Sequence, residues 1–367
     1  MRVFDRENFA FNGASQLGMP KWLIVLEALR SRAKGRIEGE TLGTVAEWKE
    51  EFDVSQATID RALVELRREG VVESQRGKGI RVVRKEAVRH VGVFLGHDMF
   101  DPGTGDFPLL LVKALRSVAA RYGQVLRYYL PSSDGNLLED RVSAIRGDIR
   151  QRMVDGLVMW ATNRAETIDL SIPVVGRLGE GRGVGHVVRL AYEDVARLGV
   201  AELVRKGCRR IALVRWGWEE FDNTLAVFNK AVEAAGVETR SKWQQVLHHS
   251  SATAFPELGA ECFQAIWSAG GVKPDGIVSC DDYATAGILR EMAKLGLGVG
   301  HDVKIASHAN VGSDRWPGET VIRIEFDAVK VAEALFSTLN SLIEGREVAG
   351  EVVVRPKLVE GCEMEGG

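Results

Sequence analysis

Apolar positions along this chain follow two rhythms, and the change comes near residue 90. From Pro20 the spacing of Trp22, Leu23, Leu26 and Leu29 predicts a helix, with Pro20 where a helix start tolerates a missing N–H. A second helix is predicted from about Thr44, with Val45, Trp48 and Phe52 inward; Thr44-x-x-Glu47 has the form of a capping box. Asp53 and Val54 make a turn. Ser55 then caps a third helix whose buried face is Ile59, Ala62, Leu63 and Leu66, and Gly70 ends it. Residues 71–74 and 80–83 alternate as two strands around Arg76-Gly77-Lys78-Gly79, where glycine permits the positive dihedrals of a tight hairpin. The order is helix, turn, helix, wing.

Beyond a short charged linker, strands and amphipathic helices alternate. Strands are predicted at 91–95, 125–129, 156–160, 173–175, 210–214, 276–279 and 303–306, with helices at 109–122, 137–153, 195–206, 224–235, 262–269 and 284–295 between them. A helix at 329–343 and a strand at 352–354 close the pattern. Such repetition predicts an α/β body of parallel sheets covered on both faces. The chain therefore divides into a loose arm (1–19), a winged helix-turn-helix (20–85), a linker (86–89) and a large body (90–361).

A chain of 367 residues, 45% hydrophobic and 27% charged, has room for two or three cores and the balance of a globular protein. No run of 18 apolar residues occurs and the start lacks the apolar stretch of a signal peptide, so a cytoplasmic location without membrane contact is expected. Cys208, Cys262, Cys280 and Cys362 stand far apart with no C-x-x-C pair, which points to free thiols rather than zinc or disulfides. The net charge of −3 hides an asymmetry: residues 61–89 hold 9 basic against 4 acidic side chains. A basic strip beside an acidic body suits a protein that offers one end to phosphate.

The third helix leaves Gln56, Ala57, Asp60 and Arg61 outward. Glutamine can bond adenine twice, alanine can touch a thymine methyl and arginine can reach phosphate or guanine, whereas Asp60 opposes a phosphate. The same face also fits the solvated side of a small helical bundle, and Lys78 fits either the minor groove or a solvated hairpin. The text Leu42-Gly43-Thr44, Val54-Ser55-Gln56-Ala57-Thr58-Ile59-Asp60-Arg61-Ala62-Leu63, Leu66-Arg67-Arg68-Glu69-Gly70-Val71-Val72 and Gly77-Lys78-Gly79-Ile80 resembles the GntR family of winged helices. That resemblance implies DNA contacts from Thr44, Ser55, Gln56, Ala57, Thr58, Arg61, Arg76 and Lys78. Gln56 and Asp60 stand where the family usually has arginines.

The body resembles the effector domain of Lac repressor-type regulators, best at 194–203, 207–214 and 274–287. The resemblance implies a periplasmic-binding-protein-like pair of Rossmann-like lobes with a ligand cleft, and homodimerisation. We place lobe 1 at about 90–182 and 311–344 and lobe 2 at about 183–310 and 345–361. A winged helix of the first kind on such a body is similar to the arrangement in bacillar arabinose repressors. It also implies that Asp282 bonds ligand hydroxyls; alternatively Asp282 caps the helix that follows, or does both. The family's arginine clamp falls at Thr224, and its loss argues against simply assuming a standard sugar inducer; likewise, Ser307-His308-Ala309-Asn310 replaces the family's G-F-D-D. Trp160, Trp216 and Trp218 follow strands, where an aromatic face suits a flat ligand or simply packs the core. Phe107 carries the same two readings, and Arg177 pairs with an anionic ligand or an acidic neighbour. The effector set is thus Phe107, Trp160, Arg177, Trp216, Thr224, Asp282 and His308.

The glycines from Gly176 to Gly185 never form a phosphate-binding motif and read as a lobe-crossing loop. The His248-His249 pair lacks helix-spaced partners for a metal. With no G-x-S-x-G and no H-E-x-x-H, neither catalysis nor a cofactor is expected. The expected function is a ligand-responsive transcription regulator, a repressor, that binds a palindromic double-stranded operator and a sugar or sugar-like effector. A transport-type solute-binding protein with an N-terminal interaction module is the alternative.

Overall fold

The computed structural model describes residues 20–75, 79–83, 88–96, 106–131, 138–160, 170–177, 185–217, 223–248, 255–313, 315–316 and 320–359. The chain divides into two compact units, residues 1–89 and 90–367.

In the first unit, helices α1 (Lys21–Lys34), α2 (Val45–Phe52) and α3 (Gln56–Arg68) pack with strands β1 (Thr41–Gly43), β2 (Val72–Gln75) and β3 (Gly79–Val82). The strands form an antiparallel sheet in the order β1-β3-β2. The capping box is present: the Glu47 amide donates to Thr44 Oγ1 (3.3 Å) and the Thr44 amide to Glu47 Oε2 (2.8 Å). Ile59, Ala62, Leu63 and Leu66 are buried as their spacing predicts, against Leu26, Leu29, Trp48 and Phe52. Each large side chain so buried contributes about 1.5–3 kcal/mol.

Two features differ from the sequence reading. The buried face of α1 runs through Val25, Leu26, Ala28 and Leu29, which leaves Trp22 and Leu23 at its margin. Strand β1 was not expected, because three residues are too few to show a period. Its Gly43 has φ +148°, and a Cβ there would meet the Trp48 indole at 2.8 Å, so the strand turns into α2 only with glycine at that position.

The second unit contains two six-stranded sheets. The first has the order β14-β8-β7-β6-β4-β5, from β4 (His90–Leu95), β5 (Val125–Tyr129), β6 (Gly156–Trp160), β7 (Val174–Arg177), β8 (Val187–Leu190) and β14 (Glu351–Val354), all parallel. Helices α4 (Asp106–Arg121), α5 (Leu138–Arg150) and α10 (Ala328–Ile343) belong to this lobe. The second sheet has the order β10-β9-β11-β12-β13-β15, from β9 (Ile211–Trp216), β10 (Gln244–Leu247), β11 (Gly276–Ser279), β12 (Lys304–Asn310), β13 (Val321–Phe326) and β15 (Lys357–Val359), with only β15 antiparallel. Helices α6 (Tyr192–Arg205), α7 (Thr224–Ala235), α8 (Phe255–Ser268) and α9 (Asp282–Lys294) cover it. Among the described residues, no helix is long and apolar enough to cross a membrane.

The chain changes lobes at Ala191, Asp327 and Arg355–Pro356, which corrects the boundaries expected from the sequence. β8 pairs with β7 and β14, so lobe 1 runs on past the glycine-rich stretch to Leu190. β13 pairs with β12, so residues 321–326 stay in lobe 2, and β14 returns to lobe 1. The glycine-rich stretch suggested a crossing, yet the true crossings are single residues or a pair, and only the last, with Pro356, contains a glycine or proline. In lobe 2, α8 and α9 meet backbone to backbone. A Cβ on Gly287 would lie 1.7 Å from the Pro256 carbonyl oxygen, and one on Gly259 2.0 Å from that of Ala284.

Candidate functional site

The first candidate surface is the outer face of α3. With Ile59, Ala62, Leu63 and Leu66 turned inward, helical geometry leaves Gln56, Ala57, Asp60 and Arg61 exposed on the opposite side. Ser55 caps the helix: the Thr58 amide donates to Ser55 Oγ (3.3 Å), and the two hydroxyls lie 2.9 Å apart. Thr44 is engaged in the cap of α2. Sequence reasoning missed the role of Trp22, over whose ring the Arg61 guanidinium lies at 4.4 Å, joining α1 to α3. It also missed Arg67, which donates to Ser74 Oγ (2.6 Å) and ties α3 to the wing. Arg76 and Lys78 lie outside the described residues.

The second candidate surface is the cleft between the lobes, where carboxyl ends of parallel strands present Trp160 (β6), Trp216 (β9) and Asn310 (β12). Open α/β sheets hold ligands at such ends, because loops and helix starts converge there. Asp281, and not Asp282, caps α9: Asp281 Oδ1 accepts from the Ala284 amide (2.7 Å) and Oδ2 from Trp216 Nε1 (3.1 Å). Asp282 is the first residue of the helix and is only 5% exposed. Its Oδ2 accepts from Asn310 Nδ2 (3.2 Å), and its carbonyl oxygen accepts from Trp316 Nε1 (3.2 Å). Burial pushes both carboxyls above the ordinary carboxylate range; the neighbouring Asp282 charge raises Asp281 further, whereas the Arg315 charge and the Asn310 amide pull Asp282 back.

A cluster missed by the sequence reading joins the lobes. Asp106, at the start of α4 in lobe 1, accepts from the Tyr283 hydroxyl (3.1 Å) and the Ser313 hydroxyl (2.9 Å) of lobe 2 and forms an ion pair with Arg315. Arg315 also lies over the Tyr283 ring, 3.7 Å from its centroid. Partial burial alone would raise Asp106, but hydrogen bonds from Ser313 and Arg315, the Arg315 charge and the Tyr283 hydroxyl hold it below the usual range. Burial pushes the Tyr283 hydroxyl up to about 12, so it remains a donor at ordinary pH. Ser313 is itself held by Arg323, which donates to its carbonyl oxygen (2.6 Å).

The expected effector residues separate into groups. Phe107 and Trp160 meet edge to face with centroids 6.1 Å apart, on lobe 1. Trp216 meets Phe255, and Phe255 meets Tyr283, also edge to face, which makes an aromatic row on lobe 2 beside Asp281. His308 is 5% exposed, its ring 5.5 Å from those of Tyr192 and Phe326. Those two residues flank the first two lobe crossings, so His308 sits at the hinge. Thr224, 1% exposed, lies in the first turn of α7. Of Arg177 only the backbone is described, and Trp218 lies outside the described residues. Asp106, Tyr283 and Arg315 could not be grouped from sequence, because 177 residues separate Asp106 from Tyr283 and nothing periodic marks the pairing.

Residues 34–82 match the model of the bacterial regulatory proteins of the gntR family, and residues 200–362 that of the periplasmic binding protein-like domain. Both are models of regulatory or binding domains rather than of enzymes. No curated sequence matches the chain. Similar solved structures include a LacI transcriptional regulator from a Rhodococcus species (TM-score 0.60, 20% identity, 74% of this chain and 97% of that one). The Escherichia coli transcriptional repressor ascG is similar too (0.58, 16%, 74% and 98%). So is a LacI family regulator from Arthrobacter sp. FB24 in complex with lactose (0.57, 16%, 74% and 98%). At these identities the likeness establishes the fold.

Proposed function

We propose that this chain, which joins a gntR-type winged helix to a periplasmic binding protein-like domain, is a ligand-responsive transcription repressor. The observation that carries the reading is the coexistence, in one chain, of a recognition helix with an exposed polar face and a two-lobed body clasped across its cleft by Asp106. Gln56, Ala57 and Arg61, with Thr44, Ser55, Thr58, Arg76 and Lys78, contact a double-stranded operator. A sugar or sugar-like effector sits between Phe107 and Trp160 on one lobe and Trp216, Asp282 and the hinge residue His308 on the other.

Two copies of the chain form a homodimer that acts in the cytoplasm on a palindromic operator. Two linked winged helices read such a site far better than one, because the second contact becomes intramolecular. An effector can change operator affinity only by preferring one arrangement of the lobes. The test is a footprint of the full chain on DNA upstream of its own gene, repeated across a salt series and with added small molecules. Protection of a palindrome, weakened by salt and altered by one compound, is expected. Binding with no sequence preference at moderate salt would overturn the reading.

A further inference from the structure

Around Asp282 the acceptors outnumber the donors. Asp282 is buried and its neighbour Asp281 half-buried, and four neutral donors reach their carboxylates: the Ala284 amide and the Trp216 indole on Asp281, and Asn310 Nδ2 and the Asp282 amide on Asp282. Arg315, whose charge reaches Asp282, pairs with Asp106, donates to the Tyr283 hydroxyl and lies over its ring, and its buried Nε has no partner among the described residues. Asn310 is 2% exposed, and once its Nδ2 has bonded Asp282 its Oδ1 has no partner among the described residues. A buried amide oxygen is almost always satisfied in a finished site, so an acceptor left open beside a buried carboxylate marks a place where a donor is missing.

The missing donor can be characterised. A ligand hydroxyl brings one hydrogen, whereas an ammonium brings three donors and a positive charge beside two carboxylates whose nearest guanidinium, Arg315, is paired with Asp106. An anionic group would meet the Asp282 charge head on. The neighbouring Trp216, Phe255 and Tyr283 add π systems, whose faces attract cations.

We propose that the effector carries a cationic nitrogen, an ammonium, that docks on the Asp282 carboxylate and the Asn310 amide oxygen. The proposal rests on the reading of residues 90–367 as an effector domain and names the chemistry of its ligand. Burial holds Asp281 and Asp282 above the ordinary carboxylate range, so below about pH 6, where the pair holds a proton, an arriving cation drives it off. Arg315 and Asp106 face the pair from the clasp and His308 from the hinge. Of these, Asp106 is held ionised by its partners.

The test is calorimetric titration of the full chain with D-glucosamine against D-glucose, D-galactosamine against D-galactose, and putrescine, each in two buffers of different ionisation heat. At least one amine should bind, with release of a proton below about pH 6, and its neutral counterpart should bind weakly or not at all. Asp282→Asn should weaken the amine about 10- to 100-fold, with the melting temperature of the unliganded variant no lower than that of the parent. Binding of a neutral sugar in preference to its amine, failure of every amine, or an amine indifferent to Asp282→Asn would each overturn the proposal. Operator footprinting on the same preparation separates these outcomes from failure of the regulator reading, since the parent chain must still protect its palindrome.

Discussion

The hydroxyl of Tyr283 donates to the carboxylate of Asp106 at 3.1 Å, and with that bond the second lobe is tied to the first across the cleft. Ser313 and Arg315 bind the same carboxylate from the Tyr283 side, so one side chain of lobe 1 gathers three partners of lobe 2.

Loss of Asp106 should therefore shift the lobe equilibrium more than the fold. The Asp106 side chain is 44% exposed, so solvent screens the ion pair and the global cost of Asp106→Ala should be about 1 kcal/mol or less. An opening that lowers the population of the closed form weakens the apparent affinity of any ligand that needs it by the same factor. Small-angle scattering of the variant should show a larger radius of gyration at a nearly unchanged melting temperature. Because its partners hold Asp106 below the usual range, the clasp is intact above the ordinary carboxylate pKa and fails as pH falls through the lowered value.

Asp281 and Asp282 give the opposite pH dependence. Their carboxyls are raised in the folded state, so the native protein holds protons that the unfolded chain releases. Stability from this source is present below the ordinary pKa and is lost as pH rises from about 4 through the raised values. Asp282→Asn removes one of the two ionisations. Its unfolding free energy should gain on the parent with rising pH, by about 1–2 kcal/mol at pH 8, and the gain should vanish near pH 4. Urea titrations of both proteins across that range measure the difference directly.

What the sequence could show follows from the range of each signal. The inward face of α3, the Thr44–Glu47 box and the Ser55 cap are local, so spacing alone exposed them. Asp281 and Asp282 are both acids at a helix start, and which one caps is decided by the extended backbone at Asp281, where φ is −149°. Spacing carries no trace of that angle. The Asp106 clasp and the orphaned Asn310 oxygen depend on contacts between strands and helices far apart in the chain. The lobe crossings escaped for another reason: one or two residues suffice to pass between sheets, and a lone Pro356 at the last of them makes no pattern.

The close contact of α8 and α9 should be the least tolerant packing feature near the cleft. Its atoms are backbone, so a Cβ at Gly287, 1.7 Å from the Pro256 carbonyl oxygen, can be accommodated only by moving a helix. Overpacking of a core usually costs about 1–3 kcal/mol, and a backbone clash belongs at or above the upper end. Gly287→Ala should lower the melting temperature and, because α9 carries Asp282 in its first turn, disturb the cleft even where the protein still folds. Thermal denaturation gives the first effect. Loss of the stabilisation that a bound ligand confers gives the second.

Gln56 and Arg61 share the exposed face of α3, yet they should fail differently when replaced. A glutamine that bonds a base edge contributes discrimination, so Gln56→Ala should cost about 1–3 kcal/mol on the preferred operator and relax selectivity at one base pair. Arg61 is stacked on Trp22 at 4.4 Å, which orders the guanidinium without neutralising its charge. As a phosphate contact, Arg61→Ala should weaken all sequences alike and reduce the salt slope by about 1. Trp22→Ala separates position from charge. It removes a stacking interaction of about 0.5–1 kcal/mol while leaving the arginine in place, so affinity should fall with the salt slope preserved. Operator titrations at several salt concentrations for the three variants decide the matter; equal loss of slope for Trp22→Ala and Arg61→Ala would show that the stack, rather than the charge, is what the operator requires.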